Sequence, residues 1–360
     1  MKRKIPILRI ILFSVFIAVL ILYIGSRLSV TVSDFVNSTV GSFYRRVAAT
    51  LTSPIPFSLF EIVIYLLPFA VALIIVLSIR AIKQGRALKF ISSLLAFVLF
   101  VYSGHLLALG ASYNTTPVES HLGLDSVEVT EQRLSDAMIL YRDRANLLSE
   151  ELTLHPDGGT DSGYTLPEIS RLVCDSYSVI SRDYGFIPDF YSNVKGVGFS
   201  AGLSYLGLTG IYTYYTGEAN VNTQYPDYKL IFTSAHELAH QRGILRENEA
   251  NFMAYLALET SEDIYFQYCA ALNMYQYMSS ALYRTNADLY YEIASGLSDI
   301  PRGDILRSNA IAIEYGDTFI EHISDFVNDL FLKSNGTEGI VSYGKVVRLA
   351  ISYLESQKAD

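Results

Sequence analysis

The chain is expected to be mainly α-helical, with three amino-terminal transmembrane helices followed by an α-rich extracytoplasmic domain that carries a small β region before its most informative helix. Three observations lead there. Long apolar runs crowd the first third of the 360-residue chain, net charge changes sign where they end, and apolar residues recur at helical spacing through most of the remainder.

The apolar runs fall at about residues 7–27, 57–79 and 90–109, each near the ~20 residues a helix needs to cross ~30 Å of hydrocarbon. The first follows Lys2, Arg3 and Lys4, as a signal peptide would, but its apolar core is long, no A-x-A-like site follows, and two more spans come after it. It is therefore read as a retained span. Basic residues set the orientation: Lys2, Arg3, Lys4 and Arg9 precede span one, and Arg80, Lys83, Arg86 and Lys89 fill the link between spans two and three. Both places are then cytoplasmic. The expected product is a multi-pass cell-membrane protein with a cytoplasmic amino terminus, a membrane domain over 1–110 and an extracytoplasmic domain over 111–360. The weakly amphipathic stretch between spans one and two, with Arg45 and Arg46, is read as lying along the outer lipid interface.

Residues 1–110 hold 11 Lys and Arg against 2 Asp and Glu, and residues 111–360 hold 16 against 34, so the two parts carry about +9 and −18. An outer domain that acidic is repelled by nucleic acid and by anionic lipid, and both are discounted as its partners. The bilayer remains a partner of the spans. Cys174 and Cys269 read as buried thiols rather than a disulfide framework.

Beyond span three, GASYNTTPVESHLGL is polar and contains proline, as an exit linker would. A helix is expected over about residues 130–152, an exposed loop at HPDGGTDSGYT, and a second helix at LPEISRLVCDSYSVISRDYG, where proline opens the first turn and glycine ends the last. Residues 195–222 are glycine-rich, aromatic and β-branched, and are read as strands and turns. Within them, GEANVN is either an edge strand able to pair with an extended peptide or a tight turn. Helical spacing then resumes nearly to the end.

The chemistry concentrates in SAHELAHQRGILRENEANF, residues 234–252. His236 and His240 lie four apart, which puts both imidazoles on one helical face within reach of a single ion. Glu237, displaced by one residue, can touch a water at that ion without ligating it, which is the arrangement of a metalloprotease general base. Zinc needs a third protein ligand, and Glu247 and Glu249 are the near candidates. On an uninterrupted helix Glu247 would stand about 10 Å beyond His240, too far to share a shell. The chain must therefore reverse between them, and Gly243 is placed to end the first helix in a left-handed conformation. Glu247 is preferred over Glu249 because Asn251 follows it by four residues, on the same face, where it can hydrogen-bond a ligand histidine.

This pattern resembles the glutamate-ligand zincins, in which HExxH is paired with E-x-x-A-N or E-x-x-A-D on a second helix; ENEAN, from Glu247 to Asn251, matches that element across an unusually short connection. Together GIYTYYTGEANVN, HELAHQRG, ENEANF and VNDLFLKSNGTEGIVSYGKVVRL resemble a bacterial domain-of-unknown-function family of membrane-anchored proteins regarded as zinc metallopeptidases. The resemblance implies Zn²⁺ as cofactor and a zincin-like outer domain, and supplies no substrate.

The expected function is hydrolysis of a peptide or protein substrate at the outer membrane face, with His236, His240 and Glu247 as metal ligands and Glu237 as general base. The alternative is a non-catalytic binding or sensory domain stabilised by zinc. Tyr343 and Tyr215 are the expected candidates for stabilising an oxyanion.

Overall fold

The computed structural model describes residues 7–156, 158–334 and 345–359. Helix dominates. α1 (Ile7–Leu28) leads through α2 (Val30–Val36), a π-helical turn at Asn37–Gly41 and α3 (Ser42–Thr52) to a hairpin of two long helices, α4 (Leu59–Lys83) and α5 (Ala87–Ala108). Three helical stretches, Ile7–Leu28, Leu59–Lys83 and Ala87–Ser112, are long and apolar enough to cross a membrane. None of the residues of α4 is buried against protein. Its 25 residues rise about 37 Å at 1.5 Å each, more than enough for ~30 Å of hydrocarbon.

The chain continues with a short 3-10 turn at Gly110–Ser112, α6 (Val118–His121), α7 (Glu131–Ser149), a two-stranded ladder of β1 (Leu154–His155) and β2 (Gly159–Thr160), and α8 (Leu166–Tyr184). The last of these starts as its sequence requires. Thr165 and Glu168 form a reciprocal capping box, and Gly185 takes φ 69° at the exit. Next come β3 (Lys195–Gly196), α9 (Ser200–Tyr205), β4 (Gly210–Thr213) and β5 (Glu218–Val221). A helical turn thus sits inside the stretch expected to hold only strands and turns. The sheet order is β3-β5-β4, with β5 parallel to β3 and antiparallel to β4 in the register Thr213↔Glu218. GEANVN therefore supplies the central strand, with β3 and β4 at the two edges.

The remaining helices are α10 (Asp227–Gln241), α11 (Glu247–Glu259), α12 (Ile264–Thr285), α13 (Ala287–Ala294), α14 (Asp299–Tyr315), α15 (Phe319–Ser334) and α16 (Lys345–Ala359). α10, α11 and α12 are mutually packed, with α7, α8 and α16 around them. Tyr228, Phe252, Phe266 and Met138 are among their fully buried side chains. Almost all of α11 is buried, so it is the central helix of the core and its polar residues must find partners or a ligand. Cys174 and Cys269 are free, buried thiols, as expected.

The spans meet this body through a hydrogen-bonded layer. Glu218 of β5 accepts the backbone N–H groups of Leu59 and Phe60, each at 3.0 Å, at the start of α4. Glu61, one turn in, accepts those of Gly198 and Phe199 at 2.9 and 2.8 Å. Ser58 donates to Asn220 at 2.7 Å, and Lys195 donates to the carbonyls of Ser53 and Ile55. Gly217, at φ 70°, backs so closely on α3 that a Cβ there would lie 2.5 Å from that of Ala48. Residues 30–58 pack one side against the body that follows, while Phe35, Phe43 and Leu51 on the other side stay 61–71 % exposed. The expected exit linker differs: Gly110, Ala111, Ser112 and Tyr113 are all buried.

Glu218→Ala removes two hydrogen bonds to a carboxylate that is 1 % exposed, and about 2 kcal/mol of stability is expected to go with them. Thermal unfolding of the full chain in detergent should show a midpoint several degrees lower. An unchanged midpoint would mean that the layer between sheet and span contributes nothing to stability.

Candidate metal centre

α10 begins after Pro226, which occupies the N-cap, and carries His236 and His240 on one face. The helix ends at Arg242 with a Schellman-type closure: the Gly243 N–H reaches the His240 carbonyl at 2.9 Å and the Ile244 N–H reaches the Ala239 carbonyl at 3.1 Å. Gly243 stands at φ 97°, a region that side-chain-bearing residues avoid. It also has no room for a side chain, because a Cβ would come within 2.4 Å of Arg45 Nη2 and 2.6 Å of Asn37 Oδ1. After five intervening residues the chain starts again as α11, whose first residue is Glu247. The stop, reversal and restart expected from the spacing are all present.

The reversal brings His236, His240 and Glu247 together, with one ligand atom from each inside a 4.8 Å group that could hold a metal ion. His236 Nε2 is 3.3 Å from Glu247 Oε2, and His240 Nε2 is 3.6 Å from Glu247 Oε1. Ligands at ~2.1 Å from a tetrahedral ion stand about 3.4 Å from one another, so both separations suit a common ion. His240 Nδ1 lies 2.8 Å from the Ile244 carbonyl. That contact is favourable only with the proton on Nδ1, leaving Nε2 to the metal.

The support for the ligands differs from the expectation in one respect. Asn251 was expected to hydrogen-bond a ligand histidine, but neither Asn251 Nδ2 nor His236 Nδ1 has a hydrogen-bond partner, though both are buried. The reversal itself supplies the orienting group, through the Ile244 carbonyl. Glu249 is engaged elsewhere: its carboxylate meets Arg246 at 2.8 Å and accepts the Val118 N–H at 3.2 Å. Of the two acids, only Glu247 stands in the metal-ligand group.

Glu237 is buried, and its Oε2 has no hydrogen-bond partner. On its other side it accepts the backbone N–H of Tyr212 in β4. Gly210 makes this approach possible, since a Cβ there would lie 2.6 Å from Glu237 Oε1. Burial pushes the Glu237 carboxyl up against the pull of His236 and His240. Burial would also raise Glu247, but the two imidazoles overcome it and hold that carboxyl well below the usual range. For His240 burial works downward and is outweighed by Glu247, which lifts the imidazole to about 9. In the metal-free site a proton on His240 thus supplies the positive charge that Glu247 requires.

Two tyrosines invisible to spacing arguments lie close enough to sense Glu247. Burial raises the phenols of Tyr113 and Tyr277, and the Glu247 charge raises them further. Tyr113 comes from the segment expected to be linker, and Tyr277 from α12. Tyr215 lies instead in the β4–β5 turn, 40 % exposed and edge-on to Tyr214, whose ring meets His105 at the end of α5. Tyr343 falls outside the described residues. The turn that shapes the site is seated on residues before span two: Asn37 donates to the Gly243 carbonyl at 3.4 Å, and Arg45 donates to Asn37 and to the Ala108 carbonyl. Burial lowers the Arg45 guanidinium to about 10, which leaves it charged at neutral pH.

Gly243→Ala is expected to weaken metal affinity roughly 10- to 100-fold, the usual range for a disturbed ligand support, in a chelator competition with the full chain. Equal affinity would show that this turn does not position Glu247. Because a metal needs neutral His240, binding below the folded value of about 9 must expel a proton. Apparent affinity should therefore fall as pH falls, by up to about tenfold per unit between roughly pH 8 and 6. Affinity independent of pH over that window would exclude His240 as a ligand.

The family described as "Protein of unknown function (DUF3810)" matches residues 36–351, a range that begins before the π-helical turn and ends inside α16. No curated protein and no solved structure matches the chain. The match takes in the turn residues Asn37 and Arg45 together with the HELAH and ENEAN segments, and on that extent the chain belongs to the DUF3810 family of proteins of unknown function.

Proposed function

We propose that this chain is a membrane-anchored zinc metallopeptidase whose site lies on the extracytoplasmic face. The observation that carries the reading is the uncommitted Glu237 Oε2 beside a group that, among the described residues, has three ligands. A closed structural zinc site takes four protein ligands, whereas a catalytic one takes three and leaves a position open. The donor set of two imidazoles and a carboxylate is one that zinc accepts. Zinc held by His236, His240 and Glu247 supplies Lewis acidity, which polarises a carbonyl and eases deprotonation of water.

The chain's own groups account for the rest. Glu237 Oε2 takes a proton from the attacking water, the water oxygen bonds to the acyl carbon, and the same carboxyl returns the proton to the amine nitrogen as the C–N bond breaks. Its raised pKa suits a group that must both accept and release that proton. Tyr277, whose phenol is raised by burial and then by the Glu247 charge, is the candidate donor to the developing oxyanion. β4 is an edge strand beside Glu237, and its backbone beyond the Tyr212 N–H, which Glu237 takes, suits main-chain pairing with an extended peptide. Orientation follows the basic residues flanking the spans, which place Arg80, Lys83, Arg86 and Lys89 in the cytoplasm and the metal group outside.

The ligand side chains are only 11–15 % exposed, which also suits a zinc-stabilised binding or sensory domain. The two readings separate on one comparison. The full chain in detergent should retain zinc both as wild type and as Glu237→Gln, while peptide hydrolysis falls about 10²- to 10⁴-fold in the variant. A wild type that binds no zinc would sink the site; zinc without hydrolysis would leave the binding domain.

A further inference from the structure

α15 carries an apolar face that no part of the described chain covers. Phe319, Ile320, Ile323, Phe326, Val327 and Leu330 are between 48 and 79 % exposed. At 100° per residue these six positions occupy an arc of about 120°. Glu321, Asp325, Asp329 and Lys333 lie outside that arc, where Lys333 pairs with Asp329 at 2.6 Å. Such a helix is uncomfortable in water and is of the type that lies in a lipid interface.

Its position in the fold indicates what covers it. Glu61, which sits in the first turn of the second span and so marks the outer edge of the hydrocarbon, binds the N–H groups of Gly198 and Phe199. Those residues lead directly into α9, and the far end of α9 holds the start of α15: Thr318 donates to the Tyr205 carbonyl at 3.5 Å, and Glu321 packs on Gly207. The ring of Tyr315 stands edge-on to Tyr205 at 4.9 Å. One short helix therefore links the outer end of span two to α15. Phe199 and Tyr205 along that link are 58 and 42 % exposed, and Phe57 just before the span is 53 % exposed. Exposed aromatic rings, of the kind enriched at membrane–water interfaces, therefore line the link between the start of α4 and α15.

We infer that α15 lies in the outer headgroup layer of the bilayer that the chain spans, with its apolar face toward the acyl chains. The charges on its polar side are mostly acidic, so insertion depends on apolar area and not on anionic lipid. α15 thereby adds to the spans a contact parallel to the membrane surface.

The test uses the full chain in nanodiscs of zwitterionic phosphatidylcholine, with a nitroxide attached at Phe326→Cys or, on the polar side, at Asp325→Cys. Both native cysteines are buried and stay unlabelled. Collision with dissolved oxygen relative to a water-soluble nickel chelate should be several-fold higher at Phe326→Cys, with the ratio unchanged by anionic lipid. Ile323→Cys and His322→Cys repeat the comparison if the first pair folds poorly. Equal ratios on the two sides would overturn the inference. So would spin–spin coupling between copies at Phe326→Cys, which would mean that a second chain covers the face.

Discussion

For His236, His240 and Glu247 to hold one metal ion, side chains from two consecutive helices must converge, and the chain has only five residues in which to reverse. That constraint explains why residue 243 is glycine, since its φ of 97° and the absence of space for a Cβ each exclude other residues. It explains the role of Ile244, whose carbonyl turns back to hold His240. It also explains a fully buried arginine outside the outer domain. Arg45 and Asn37 form the surface against which the tight turn closes, so the ligand geometry depends on residues two hundred positions earlier in the chain.

What could be read from sequence is what local periodicity governs. The helix spacing of His236 and His240, the need to reverse at Gly243 and the choice of Glu247 are consequences of 3.6 residues per turn over a dozen positions. The apolar spans are legible from the length of their runs, and α8 from the proline that opens it and the glycine that ends it. Features set by contacts distant in sequence were not legible. Tyr113 and Tyr277 approach Glu247 only because the fold delivers them, and the short polar-looking run that holds Tyr113 is buried by the turn and by Arg246, which binds the carbonyls of Thr115 and Thr116. GEANVN alternates like an edge strand, yet β3 arrives from 25 positions upstream to pair with it and make it central. Asn251 stands four residues from Glu247, and that periodicity is sound, but sharing a face does not by itself make a hydrogen bond.

The layer between the spans and the outer body is polar in its chemistry but closed to water. Glu218, Asn220 and Lys195 are each at most 4 % exposed, and all three bind residues 53–60. Buried groups of this kind are tolerated only when paired. Here the pairing runs across the boundary that composition places near residue 110. The change in charge between the two parts is therefore a chemical border and not a mechanical one.

The first turn of α4 is held on two sides, by Glu218 at its backbone and by Gly198 and Phe199 at Glu61. A helix gripped that way cannot pivot independently of the sheet. Its apolar length exceeds a typical hydrocarbon thickness, and an overlong span accommodates a thinner bilayer chiefly by leaning. A lean of α4 would strain the hydrogen bonds to Glu218 and Glu61, so the sheet opposes the adjustment that a thinner bilayer would ask of this helix.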